Sequence, residues 1–180
     1  MKISMYNITV PVFIKSLNNL SALLDKAVIH SEEKKFNIEN LLSDRLAPDQ
    51  FDFTRQVQIS CDTAKGAAAK LASIEAPKME DIEKSIPELK ARIEKTVDFL
   101  KSIKPEQIEG SEDKKVSISF MPGKWVSGFE YVSEIYLPNF FFHLTTAYSI
   151  IRHRGVTIGK ADYLDELSLK EEEESNLEDK

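Results

Sequence analysis

Two of the chain's three histidines, His143 and His153, lie in one stretch, NFFFHLTTAYSIIRHRG, residues 139–155. Histidine moves protons near neutral pH and ligates metals, so the spacing of this pair decides which chemistry is open to it. Ten residues along a helix amount to roughly 15 Å of rise and about 80° of rotation. Metal–nitrogen bonds are only about 2 Å long, so one ion cannot be held by both, and the two-histidine metal reading fails. The third, His30, closes the first helical stretch and has no acidic or histidine neighbour at ligand spacing there. What remains is polar chemistry. His153 falls on a line with Phe142, Thr146 and Ser149, at spacings of four, three and four. Small hydroxyls ending in a histidine would floor a polar pocket, or else form the wet face of the helix. His143 sits at the edge of the apolar stripe, where it donates to a hydroxyl or carbonyl of the bundle or joins the same pocket. Together with a glutamine of the second helix, the candidate ligand-binding residues are His153, Ser149, His143 and Gln56, with Gln58 as the alternative glutamine.

Other chemistries are excluded. GVTIGKA, residues 155–161, has one residue too few between its glycines for a phosphate loop and no hydroxyl after Lys160. There is no G-x-S-x-G elbow, no H-E-x-x-H and no glycine-rich dinucleotide turn. Cys61 is alone, which rules out an internal disulfide and a thiolate metal cluster. Acid pairs such as Glu80–Asp81 and Asp49–Asp52 stand at or just before helix starts, where they complement the helix dipole.

The elements that must position these residues are helical. Phe13, Leu17, Leu20, Leu24 and Ala27 make a stripe from Pro11 to His30, and NIENLLSDRL then reads as a short helical connection. Thr54, Val57, Cys61, Ala64, Ala68 and Leu71 form the inner stripe of a second helix, expected from Pro48 to Ala72, whose small residues admit a close neighbour. Ser85 and Glu88 make a capping box with Pro87 in the first turn, and Ile86, Leu89, Ile93, Thr96, Leu100 and Ile103 follow, up to Lys104-Pro105. KVSISF alternates through Val116, Ile118 and Phe120, Pro122-Gly123 turns the chain, and a small hairpin with Trp125 is expected. Ser127 with Glu130 offers another cap, and FEYVSEIYL serves as a short helix or a strand. The fourth long helix is the opening stretch, with Phe140, Leu144, Ala147, Tyr148 and Ile151 on one face and Gly155 as its stop. The fold class is all-α: an antiparallel four-helix bundle with a small hairpin insert before the last long helix.

The net charge of −6 belongs to one end. Residues 165–180 hold eight acids and two bases, which leaves 22 of each over residues 1–164. The expected division is therefore a neutral domain, 1–164, and an acidic, disordered tail, 165–180. A neutral body gives no electrostatic case for nucleic acid. No run of about 18 apolar residues exists, so no membrane span is expected, and the N-terminus lacks the pattern of a secretory signal. A cytoplasmic protein is the expectation.

LPNFFFHLTTAYSIIRHRGVTIGKADYL, with RLAPDQFDFTRQVQISCDTAK and the DIE…ELKARIEKTVDFL stretch, resembles a family of uncharacterised bacterial and fungal proteins. It is a domain-of-unknown-function family with the signature PNFxFHxxxAYxIxRxxGVxIGKxDYL, close to the DinB/YfiT-like four-helix proteins. The likeness covers nearly the whole chain to Leu164, and Asp165 stands where the family has a glycine. The resemblance implies a DinB/YfiT-like bundle. Metal-binding DinB-like proteins use three histidines, one on helix two and two in H-x-x-x-H-R-G on helix four. His153 matches the last of these, Ser149 takes the place of the other, and no histidine lies between His30 and His143. The expectation is a protein that has lost the metal site, carries no cofactor, and acts as a module binding a small molecule or a protein. An enzyme of transferase or hydrolase type using His153, Ser149 and His143 is the alternative, and a homodimer is compatible with a bundle of this size.

Overall fold

The computed structural model describes residues 4–118 and 121–171. Four long helices dominate it: α1 (Val10–Lys34), α2 (Phe53–Ala72), α3 (Ile86–Ser102) and α4 (Leu137–His153). α2 packs against both α3 and α4, and α1 packs against the same two from the other side, which makes a four-helix bundle. Cross-contacts fix the antiparallel sense. Asn139 at the start of α4 donates to Thr63 well along α2, whereas His143 further on meets Gln56 near the start of α2.

The apolar stripes read from the sequence are the core. Phe13, Leu17, Leu20, Leu24 and Ala27 of α1 are fully or almost fully buried, as are Ile86, Leu89, Ile93, Thr96, Leu100 and the following Ile103. Phe13 meets Phe140 edge-on at 4.8 Å between ring centres, which ties α1 to α4. The small residues of α2 have the consequence expected of them: Cys61, Ala64, Ala67 and Ala68 are all buried, because the helix has neighbours on several sides. The polar Gln56, Gln58, Ser60 and Thr63 are buried on it too.

Boundaries differ from expectation in two places. α1 continues one turn past His30, to Lys34. α2 begins at Phe53 rather than Pro48, because the Asp52 side chain accepts from the Arg55 backbone N–H and so caps the helix there. The connection between them is a 3₁₀ turn, Ile38–Ser43. α3 starts where its signal placed it, with Ser85 accepting from the Glu88 N–H at 3.3 Å; the Glu88 carboxylate reaches back to the Lys84 N–H, one residue beyond the usual partner.

Between α3 and α4 the expected hairpin is present, as β1 (Lys115–Ser117) antiparallel to β2 (Trp125–Ser127) with Val116 opposite Val126. Val116 and Ile118 point into the core, and Phe120 lies outside the described residues. Gly128 follows β2 at a position where a Cβ would sit 1.9 Å from the Ser111 carbonyl oxygen, so no other residue fits. The segment that the sequence left open between helix and strand is helical. Ser127 caps it reciprocally with Glu130, and Tyr131–Tyr136 is a π-helix running straight into α4. Gly155, with φ +87°, ends α4, and Lys160–Leu164 forms a short helix against α1, where Asn19 donates to the Tyr163 carbonyl at 2.9 Å. The tail is exposed from Asp165 to Glu171; its remainder lies outside the described residues. No helix among the described residues is long and apolar enough to cross a membrane.

Candidate functional site

α2 carries two polar groupings, on its two packed sides. The first, at the seam with α4, contains Gln56 and His143. His143 Nδ1 lies 2.7 Å from Gln56 Oε1, and Gln56 Nε2 donates to the Phe51 carbonyl at 2.9 Å. Gln56 is fully buried and His143 is 7% exposed. Burial, and after it the nearby Arg55 guanidinium, hold the imidazole pKa below its ordinary 6.5, so His143 is neutral near pH 7. Its Nε2 has no hydrogen-bond partner among the described residues and is not shut off from solvent. Two exposed aromatic rings lie close by in the chain: Phe142, perpendicular to the imidazole at 5.1 Å, and Phe51, at 6.0 Å from the Arg55 guanidinium carbon. An open cleft of about 600 Å³ lies beside the start of α2, but Gln56, Phe142 and His143 do not line it; Phe51, Arg55, Gln58, Asp81 and Glu83 do.

The second grouping centres on Arg92 of α3, whose side chain is only 1% exposed. Its guanidinium bridges Asp62 of α2 at 2.8 Å, Glu83 at 2.8 Å and Asp81 at 2.9 Å, and donates to the Glu80 carbonyl at 3.0 Å. Lys65 reaches Asp62 at 2.7 Å, Arg55 pairs with Asp81, and Gln58 donates to Glu83 at 2.8 Å. Burial alone would raise the Glu83 pKa, but the hydrogen bonds from Arg92 and Gln58 outweigh it and keep the carboxyl ionised. Three carboxylates are thus matched by three cations. Asp81, read from the sequence as a dipole partner for a helix start, is instead a member of this cluster. Cys61 lies against the same region and is pushed up to about 12 by burial, which leaves it an unreactive thiol.

Of the residues singled out from sequence, the structure brings Gln56 and His143 into direct contact. Gln58 faces the other way, into the Arg92 cluster. Ser149 is half-buried further along α4, and His153 is exposed at its last turn; neither is hydrogen-bonded to His143 or Gln56. Sequence reasoning missed Arg92 and Arg55. A signal for Arg92 existed: it lies three residues after Leu89 and beside Ile93, on the inward side of its helix, just downstream of the acid-rich MEDIE.

A family model described as a domain of unknown function, DUF1993, matches residues 5–164. The chain belongs to this family. The DUF1993 chain is also similar to a solved structure, the crystal structure of a DinB family member protein from Shewanella denitrificans. The two are 41% identical, with a TM-score of 0.89 over 93% of this chain and 95% of that one. No curated protein matches in sequence. The fold is therefore DinB-like. Of the three histidine ligands that the resemblance implies for metal-binding DinB-like proteins, only His153 has a counterpart in this sequence. Ser149 stands at one ligand position, His143 Nδ1 is committed to Gln56, and among the described residues no three His, Cys, Asp or Glu side chains are placed to share an ion.

Proposed function

We propose that this DUF1993 chain is a binding module that has lost the metal site of its superfamily and holds a small molecule at the α2–α4 seam. The observation that supports this reading most is the Gln56–His143 pair. A buried neutral imidazole, held by a glutamine that is itself held by backbone, is a preorganised recognition group. Its remaining nitrogen has no partner among the described residues, and exposed aromatic surface adjoins it. The exposed Phe142 ring, perpendicular to the imidazole at 5.1 Å, supplies apolar surface of the kind that small-molecule sites use around a few fixed polar atoms.

The enzyme reading requires His143, Ser149 and His153 to act together, and ten residues of helix separate the two histidines by roughly 15 Å. A general base needs only one of them, and His143 has the lowered pKa of such a group. No nucleophile or second acid–base residue is hydrogen-bonded to it, so binding is the reading preferred here.

The test is a fragment screen by thermal shift on the wild type and on His143→Gln. Compounds that raise the melting temperature of the wild type and not of the variant support the seam. Compounds that stabilise both equally place the site elsewhere. Elemental analysis after dialysis is expected to show no stoichiometric transition metal; about one zinc, nickel or iron per chain would overturn the loss of the metal site.

A further inference from the structure

The hydrogen bonds at the seam run in one direction only. A backbone carbonyl accepts and never donates, so the Phe51 carbonyl requires the amide nitrogen of Gln56 at its end of the pair, 2.9 Å away. That places the amide oxygen, which only accepts, against His143 Nδ1 at 2.7 Å. Nδ1 must therefore carry the hydrogen. A neutral imidazole has one N–H, so Nε2 is left with a lone pair and no proton. Each step follows from the one before, and the first is fixed by the main chain.

From this relay we infer that the seam selects its ligand by hydrogen-bond polarity: it takes a neutral molecule with an O–H or N–H donor on a flat apolar body, and rejects matched molecules that can only accept. Gln56 is then a positioning residue. It touches the ligand only through His143, and its work is to hold the tautomer. This rests on the seam being the binding site. The apolar body follows from the exposed Phe142 ring beside the imidazole. Neutrality follows from the surroundings: an anion meets the unprotonated Nε2 lone pair, and the Arg55 guanidinium, even paired with Asp81, disfavours positive charge at the imidazole. An acceptor-only ligand would set lone pair against lone pair and displace the water that can reach Nε2 without replacing its hydrogen bond.

The experiment uses the full chain labelled with ¹⁵N and the probes phenol, anisole and pyridine. Phenol donates, whereas anisole and pyridine are rings of similar size that only accept. Long-range ¹H–¹⁵N spectra of the imidazoles identify the protonated nitrogen of His143 before any probe is added. The expected result is Nδ1–H with an unprotonated Nε2, a Nε2 signal that moves on adding phenol, and binding of anisole and pyridine at least about tenfold weaker. Tenfold corresponds to about 1.4 kcal/mol, the size of one hydrogen bond. An Nε2–H tautomer overturns the inference whether or not any probe binds. The correct tautomer with phenol leaving the His143 signals unmoved overturns the seam as the site, which is the reading beneath it. Pyridine binding as tightly as phenol overturns the selectivity. The variant Gln56→Met, which cannot hold the relay, is expected to give a mixture of tautomers and to narrow the gap between phenol and pyridine. If it fails to fold, the wild-type tautomer and the three-probe comparison still decide.

Discussion

Two polar regions share α2, and they are built on opposite principles. Around Arg92, three carboxylates and three cations cancel and the guanidinium is tied to α2 and to the 80–83 segment at once, with its Nε alone left buried and without a hydrogen-bond partner. At the seam with α4, Gln56 and His143 carry no charge, and one ring nitrogen has no partner among the described residues. A region whose charges are all spent inside the fold stabilises an arrangement. A region with a fixed but unspent acceptor can recognise something outside it. The difference teaches that burial of polar groups is by itself no sign of function; what matters is whether their charges cancel within the fold or an uncharged acceptor is left for something outside it.

The comparison breaks most readily at Arg92. Arg92→Met leaves Asp62, Asp81 and Glu83 without the cation they share, and chemical denaturation should show a loss of about 3 kcal/mol. This is toward the low end for a buried pair, because Asp62 and Asp81 are each more than a third exposed and partly screened by solvent. A loss under about 1 kcal/mol would mean that the cluster is an ordinary surface network. At the seam the corresponding change is Gln56→Leu, which strands the His143 N–H and the Phe51 carbonyl and should cost about 1–3 kcal/mol. Adding His143→Phe to Gln56→Leu should recover part of that cost, since it removes the stranded N–H and leaves only the Phe51 carbonyl unpaired. A double variant whose loss equals the sum of the singles would uncouple the pair.

A pH series separates the regions further. The folded-state pKa of His143 lies below its unfolded value of 6.5. The folded chain therefore resists a proton that the unfolded chain binds, and stability is whole above pH 6.5 and declines as pH falls through that value toward the folded pKa. Wild type should lose more stability than His143→Gln between pH 6.5 and 5. Identical declines in the two would place His143 in a more solvated state than the structure gives it. The smallest effect belongs to the third partner proposed from the sequence. His153→Ala removes an exposed side chain and should change stability by no more than roughly 1 kcal/mol, and a larger loss would put His153 inside the fold.

What was legible from the sequence was what repeats or caps. The stripes of α1 and α3, the Ser85 cap, the hairpin around Pro122-Gly123 and the Gly155 stop all come from local rules, and each stands where those rules put it. Pro48 misled because proline suits a first turn, while the stronger local force was the Asp52 side chain capping four residues later. The continuous helix from Gly128 through the π-helical turn into α4 was only half legible: its Ser127–Glu130 cap was read, but helix and strand stayed open. Tyr131 and Val132 are held by core contacts, which no window of sequence contains. Half of the candidate site could be read: Gln56 and His143 were named, but from different helices with nothing to pair them, and the 87-residue separation of that hydrogen bond is a tertiary fact. Arg92 was passed over because arginine in a helix ordinarily faces water, and the acids that bury it arrive from α2 and from the segment before α3.

The central claim, that the α2–α4 seam is the recognising region and the Arg92 cluster is not, is tested most directly by mapping. Backbone amide shifts of the ¹⁵N-labelled full chain are followed while a library of small neutral aromatic fragments is added. The account predicts that perturbed amides gather at residues 51–58 and 139–146, with those of residues 77–99 unmoved. Perturbations centred on residues 77–99, or at His153 and the end of α4, with the seam silent, would contradict it.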